Sequence, residues 1–223
     1  MNWTDYPDRD LLALDLAEVL ADSLNNALHH KDRVTFAVPG GTSPGPVFDA
    51  LSQVHLDWDR VNVMLTDERW VPDSSDRSNT ALLRRTLLTG PAAAATLIPL
   101  YAPTDMPEES LDALSDRIAG VLPIDVMLIG MGADMHTASL FPGADRLEEA
   151  LSDAAPVILP MRAPGAPEPR ITLTAPVLRA AMDIHLLIMG EDKKAALRQA
   201  EGMKPIDAPV ACLLPAAQVH YAA

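Results

Sequence analysis

Four short runs, RVTFAVP, RVNVMLT, PIDVMLIG and DIHLLIMG, are apolar almost without interruption, and each runs straight into a glycine or polar turn. A strand that is apolar along its whole length has to be buried on both faces, which is the condition of a parallel strand covered on each side by helices. The segments between these runs have helical periodicity. DLLALDLAEVLADSLNNALHH sets Leu12, Leu16, Leu20, Leu24 and Leu28 four apart, an amphipathic stripe. GGTSPGPVFDALSQV, SNTALLRRTLL, PEESLDALSDRIAGV, APVLRAA and EDKKAALRQAEG supply further helices, with Ser78 placed to cap the second of these. ATLIPL, APVILP, PRITLT and APVACLL read as additional short strands, and DERWVPDSSDRS as a polar loop. Alternating strands and helices over 223 residues predict an α/β fold. It should be an open, largely parallel sheet with helices on both faces, formed by a single domain over 1–223. No internal repeat or low-complexity tract divides it.

Charge and composition narrow the function. Seventeen basic residues stand against 31 acidic ones, a net charge of −14. Nucleic-acid affinity rests on clustered Lys and Arg, so no nucleic-acid partner is expected. No apolar run approaches the ~20 residues of a membrane helix. The polar, acidic start MNWTDYPDRD lacks the pattern of a secretory signal, so the expected compartment is the cytoplasm, with no membrane partner. The lone Cys212 excludes an intrachain disulfide and a cysteine zinc site, and its apolar setting PVACLLP suits a core residue.

Chemistry gathers in the turns after the strands, where ligands bind in open α/β sheets. The turn after the first run, Gly40-Gly41-Thr42-Ser43, combines permissive backbone with two hydroxyls ahead of a helix, an arrangement suited to phosphate. GTSPG also matches the G-x-S-x-G nucleophile elbow. That elbow needs the backbone N–H of the residue after the serine, and here that residue is Pro44, which has none. After RVNVMLT come Asp67, Glu68 and Arg69, and Arg170 enters the run PRITLT. Lys193 and Lys194 sit in the first turn of a helix, where a cation is unfavourable to the helix and one of them is free to serve an anion. After PIDVMLIG comes GMGADMHTASLFPG, which sets His136 beside Asp134, Thr137 and Ser139. Asp134 and His136 alone do not make a metal site, since no third ligand has readable spacing. His29, His30, His55, His185 and His220 lack such a glycine context and are expected to be surface or satisfied core residues.

In that order, GGTSP, DERWVP…SN, GMGADMHTASLFPG, PRITLT and GEDKKAAL resemble the 6-phosphogluconolactonase family, from about Val34 to near the end of the chain. Related amino-sugar-phosphate deaminases share the glycine turn and an acid pair but follow their histidine with an AFNEP-like run. The resemblance implies a Rossmann-like sheet and hydrolysis of 6-phospho-D-glucono-1,5-lactone to 6-phosphogluconate in the oxidative pentose phosphate pathway. It implies no metal or organic cofactor, and a phosphosugar lactone as the partner of a monomer or homodimer. By the same resemblance, His136 matches the general base, and Asp67 and Arg69 the acid–arginine pair of the active site. Gly40, Gly41, Thr42 and Ser43 match the phosphate-side turn, and Arg170 and Lys193 match sugar-phosphate contacts. Asp134 or Asp67 would orient the imidazole. The family usually reads GxDGH, and Met135 stands here in place of the second glycine, a strained residue if that position needs positive φ. Two other readings are a deaminase or isomerase acting on amino-sugar phosphates, and a sugar-phosphate sensor. Sensors of related fold carry a helix-turn-helix, and the acidic first 30 residues offer none.

Overall fold

The structure, a computed structural model, describes residues 2–223. In chain order the elements are β1 (Asn2–Asp5), α1 (Arg9–Leu28), β2 (Val34–Val38), α2 (Gly45–Leu51), β3 (Val61–Leu65), β4 (Asp67–Arg69), α3 (Asn79–Thr86), β5 (Thr96–Ile98), α4 (Leu111–Ala119) and β6 (Val126–Gly130). They continue as α5 (Leu147–Leu151), β7 (Ile158–Met161), β8 (Arg170–Leu173), α6 (Ala175–Arg179), β9 (Asp183–Met189), α7 (Glu191–Ala200) and β10 (Ala217–Ala222).

Seven strands form one parallel sheet in the order β1-β10-β9-β6-β2-β3-β5. Every residue of β2 and β3 is buried. Since successive side chains of a strand point to opposite faces, both faces of the sheet are covered. α1 contributes Leu12, Leu16, Leu20, Leu24 and Leu28, all buried, so the periodic stripe is the face it turns to the core. A single hydrophobic cluster runs from Leu12 to Ala222, joining both halves of the chain. Asp8 caps α1 by accepting from the Leu11 N–H, and Ser78 caps α3 by accepting from Ala81.

The sheet grows outward from β2 through β3 to β5 on one side, and from β6 through β9 to β10 on the other. The direction therefore reverses between β2 and β6. The carboxyl ends of strands at such a reversal leave a crevice between diverging connections.

The structure corrects the sequence reading in four places. APVILP and PRITLT become β7 and β8, but they lie in a separate three-stranded antiparallel sheet, β4-β8-β7, rather than in the parallel one. The third strand of that small sheet is β4, the DER segment read as loop; three charged residues conceal a strand whose carboxylates are buried and bonded. APVACLL is not a strand: Pro209 opens a 3-10 turn, and the last strand is AQVHYA, whose histidine hid its buried character. The polar start contributes the edge strand β1, which pairs with β10 alone.

Candidate active site

An open cavity of about 290 Å³ occupies the crevice at the β2–β6 reversal. Its wall is built from Pro39 to Pro44 after β2, Asp67 and Arg69 of β4, and Asn79 of α3. The lining continues with Gly130, Met131, Gly132, His136 and Ala138 at and after β6, Arg170 of β8, and Leu187 and Lys193 from β9 and α7. Of the site residues that the resemblance named, only Asp134 is absent from this lining, and it bonds His136 Nδ1.

His136 is held by the loop that carries it. Its Nδ1 lies 2.5 Å from Asp134 Oδ1, and its carbonyl accepts from the Gly132 N–H at 3.0 Å. With a carboxylate as partner, the neutral ring carries its proton on Nδ1 and its lone pair on Nε2. It also separates the two acids: Asp134 orients the ring, while Asp67 is engaged elsewhere. The two hydroxyls after His136 are anchors. Thr137 Oγ1 donates to the Gly130 carbonyl at 2.9 Å, and Ser139 Oγ donates to Asp67 Oδ2 at 2.5 Å. Both residues are fully buried, so the loop is pinned to β6 on one side and to the small sheet on the other. Gly132 leaves room for the ring: a Cβ there would fall 2.2 Å from His136 Cε1 and Nδ1.

The small antiparallel sheet delivers the cations. Its register sets Arg69 opposite Arg170 and Asp67 opposite Thr172. Arg170 Nη1 stands 3.7 Å from Asp67 Oδ2, a Coulombic contact rather than a hydrogen bond. Burial pulls the Arg170 guanidinium below its ordinary pKa, Asp67 opposes this, and the neighbouring Arg69 adds to the pull. Arg69 Nη1 donates to the Arg77 carbonyl at 2.7 Å, while the buried Nε atoms of Arg69 and Arg170 have no partner among the described residues. Two under-partnered guanidinium groups at one cavity wall form a strong anion locus in a protein whose net charge is −14. Lys193 joins them in the lining, whereas Lys194 turns away to Asp5, 3.1 Å distant, and lies 4.0 Å above the Tyr221 ring.

The diglycine turn completes the pocket. Gly41 has φ of 86°, a conformation that glycine adopts without strain. The N–H groups of Gly40, Gly41, Thr42 and Ser43 find no acceptor among the described residues. α2 is only two turns long, so these loop donors, more than a helix dipole, are what the turn would offer an anion.

The family described as glucosamine-6-phosphate isomerases/6-phosphogluconolactonase matches residues 7–221. The chain belongs to this family. A 6-phosphogluconolactonase of Mesorhizobium japonicum is 44% identical over 219 residues, covering 97% of this chain and 91% of the relative. One of Pseudomonas aeruginosa is 44% identical over 84% of this chain and 80% of its own. The crystal structure of a 6-phosphogluconolactonase from Shewanella baltica superposes with a TM-score of 0.96 at 30% identity, covering 100% of this chain and 98% of that one.

Against the family pattern, Met135 stands out. Its φ is 66°, so the position does take the left-handed conformation for which glycine is suited. A methionine there costs on the order of 1–2 kcal/mol. Part of that is offset by packing of its side chain against the core and by its carbonyl, which accepts from the Val210 N–H at 3.1 Å. The His136 loop is thus strained but tied down at the point of departure. Burial pushes the Cys212 thiol up to about 11, which disfavours the reactive thiolate.

Two residues beside the site had no role assigned from sequence: Glu68, noted only between Asp67 and Arg69, and Asn79. Glu68 is wholly buried and accepts from the N–H groups of Arg69, Asn79 and Thr80, each at 2.8 Å, and from Ser78 Oγ at 3.1 Å. It joins β4 to the first turn of α3. Asn79, so placed, donates to the Asp67 carbonyl at 3.0 Å and packs its amide on Gly40, where a Cβ would come within 2.1 Å. The signal was present as DER followed by SN, an acid ten residues before a capping serine, but nothing local announces that they meet.

Proposed function

We propose that this chain hydrolyses 6-phospho-D-glucono-1,5-lactone to 6-phosphogluconate, with His136 as general base. The observation that carries the reading is the placement of the His136–Asp134 pair on the wall of one cavity with Arg69, Arg170, Lys193 and the diglycine turn. A δ-lactone is an activated ester, so a base that deprotonates water suffices and no covalent nucleophile is needed. His136 Nε2 takes a proton from water as its oxygen adds to the lactone carbonyl. The carbonyl electron pair moves to oxygen, and the oxyanion is stabilised by Arg69 or by the free N–H groups of the turn. Collapse breaks the bond to the ring oxygen, which takes its proton back from the imidazolium that Asp134 has stabilised. Arg170 and Lys193 hold the phosphate, far from the reacting carbon, and that binding energy fixes the ring.

The test is loss of the phosphorylated lactone above its spontaneous rate. His136→Ala is expected to lower kcat by about 10²–10⁴-fold with the fold intact by circular dichroism. An unchanged rate in that variant removes His136 from the mechanism. Ammonia release from glucosamine 6-phosphate by the wild type would instead assign the chain to the deaminases.

A further inference from the structure

Phe141 closes the histidine loop and touches the two groups on which the proposed chemistry depends. Its ring centroid lies 4.2 Å from that of His136, with the planes 33° apart. The Arg170 guanidinium carbon lies 5.2 Å from the same centroid. The ring has little freedom to move away. Leu140, just before it, is fully buried, and its N–H donates to the Thr137 carbonyl at 3.0 Å. Pro142 and Gly143, the latter at φ of 75°, turn the chain immediately after it.

The electrostatics of the pocket give this contact a purpose. A base that must become a cation during the reaction stands on the same wall as Arg69, Arg170 and Lys193, whose field opposes that change. Asp134 offsets the field at Nδ1. The face of a benzene ring is electron-rich and attracts cations, so Phe141 favours the imidazolium and also holds the guanidinium that anchors the substrate's anion. We propose that Phe141 is a positioning residue for lactone opening, its ring face stabilising the cation formed on His136 while it fixes Arg170 at the anion-binding wall. This inference rests on the lactonase reading above.

Two variants test it. Phe141→Leu keeps most of the volume and removes the π face; Phe141→Tyr keeps the face. Phe141→Leu is expected to lower kcat roughly fivefold, the size of one partly exposed cation–π contact, and to raise KM as Arg170 loses its seat. Phe141→Tyr is expected to stay within about twofold of wild type. The His136 ring proton signals should also move downfield in Phe141→Leu as the ring current is lost, an effect that does not require turnover. Wild-type kcat in Phe141→Leu, or a fall in Phe141→Tyr as large as in Phe141→Leu, would overturn the inference while leaving the lactonase reading in place. A wild type that opens no lactone overturns that reading and the catalytic part of the inference together; unmoved His136 signals in Phe141→Leu overturn the contact itself.

Discussion

Gly132 acts through the side chain it does not have. Its φ is not in the left-handed range, so alanine is conformationally acceptable there. Yet the added methyl would meet the His136 ring at 2.2 Å and Asp134 Oδ1 at 2.6 Å, and both are pieces of the proposed base. The side chains must yield, because the loop behind them is pinned by Thr137 and Ser139. Gly132→Ala is therefore expected to leave the melting temperature nearly unchanged and to lower kcat by about 10²-fold, the usual consequence of moving a catalytic group by about an ångström. Rate and thermal unfolding measured on the same preparation decide it; full activity would mean that the imidazole has a second workable position. At this scale the sequence was informative where chemistry is local. His136, its neighbour Asp134 and the diglycine turn could all be picked out from their immediate context. Which acid orients the ring was not legible, because the choice depends on Ser139 reaching Asp67 across 72 positions of chain.

The connection between β4 and α3 hangs on one carboxylate. Glu68 is inaccessible to water and accepts four hydrogen bonds, three of them from backbone N–H groups, so it serves as both a strand anchor and a helix cap. Replacing it by glutamine puts an amide NH2 against those donors and removes the charge they were stabilising. Glu68→Gln is expected to cost about 2–3 kcal/mol of stability, the size of a charge-assisted buried bond lost without replacement. Urea denaturation would show it as a lower midpoint with the slope preserved; an unchanged midpoint would mean that the amide finds an equivalent arrangement. The same element explains what the sequence concealed. Apolar runs such as those of β2, β3, β6 and β9 advertise burial on both faces, and the Leu12-to-Leu28 stripe advertises a helix facing the core. β4 and β10 are equally parts of sheets, but they bury charged and imidazole side chains whose partners come from distant segments. Hydrophobic periodicity cannot register a polar group that is satisfied only after the chain has folded. APVACLL shows the converse: its apolar composition fits a strand, yet Pro209 begins a turn instead.

On the scale of the whole molecule, a buried polar chain ties the two ends of the sequence to the sheet. Tyr6 Oη lies 2.9 Å from His220 Nδ1, His220 Nε2 lies 3.0 Å from His185 Nδ1, and His185 Nε2 faces Asp183 Oδ2 at 3.1 Å. Asp183 also accepts from Ser23 of α1 at 2.7 Å and from Gln218 at 2.8 Å. The chain thus joins the segment after β1, α1, β9 and β10, and none of its side chains lines the candidate site. Burial, with the charge of His185 adding to it and Asp183 opposing, holds the His220 imidazole down to about 4, well below the ordinary 6.5. The close contact with His185, together with hydrogen bonds from Ser23 and Gln218, holds Asp183 at about 2 despite its burial. The sign follows from proton counts. Between the two values for His220, the unfolded chain binds a proton that the folded chain refuses, so stability falls as pH drops from 6.5 toward 4. The contribution at stake is roughly 3 kcal/mol. Asp183 extends the loss below that window, from its ordinary 3.8 down to about 2. His220→Gln keeps a hydrogen-bonding side chain but cannot titrate. Its melting temperature at pH 7 is expected to lie below that of the wild type, since glutamine cannot reproduce both ring contacts, while its decline between pH 6.5 and 4 should be shallower. Parallel melting curves for variant and wild type across that range would sink the assignment, because the acid sensitivity would then belong to the many surface carboxylates rather than to this buried pair.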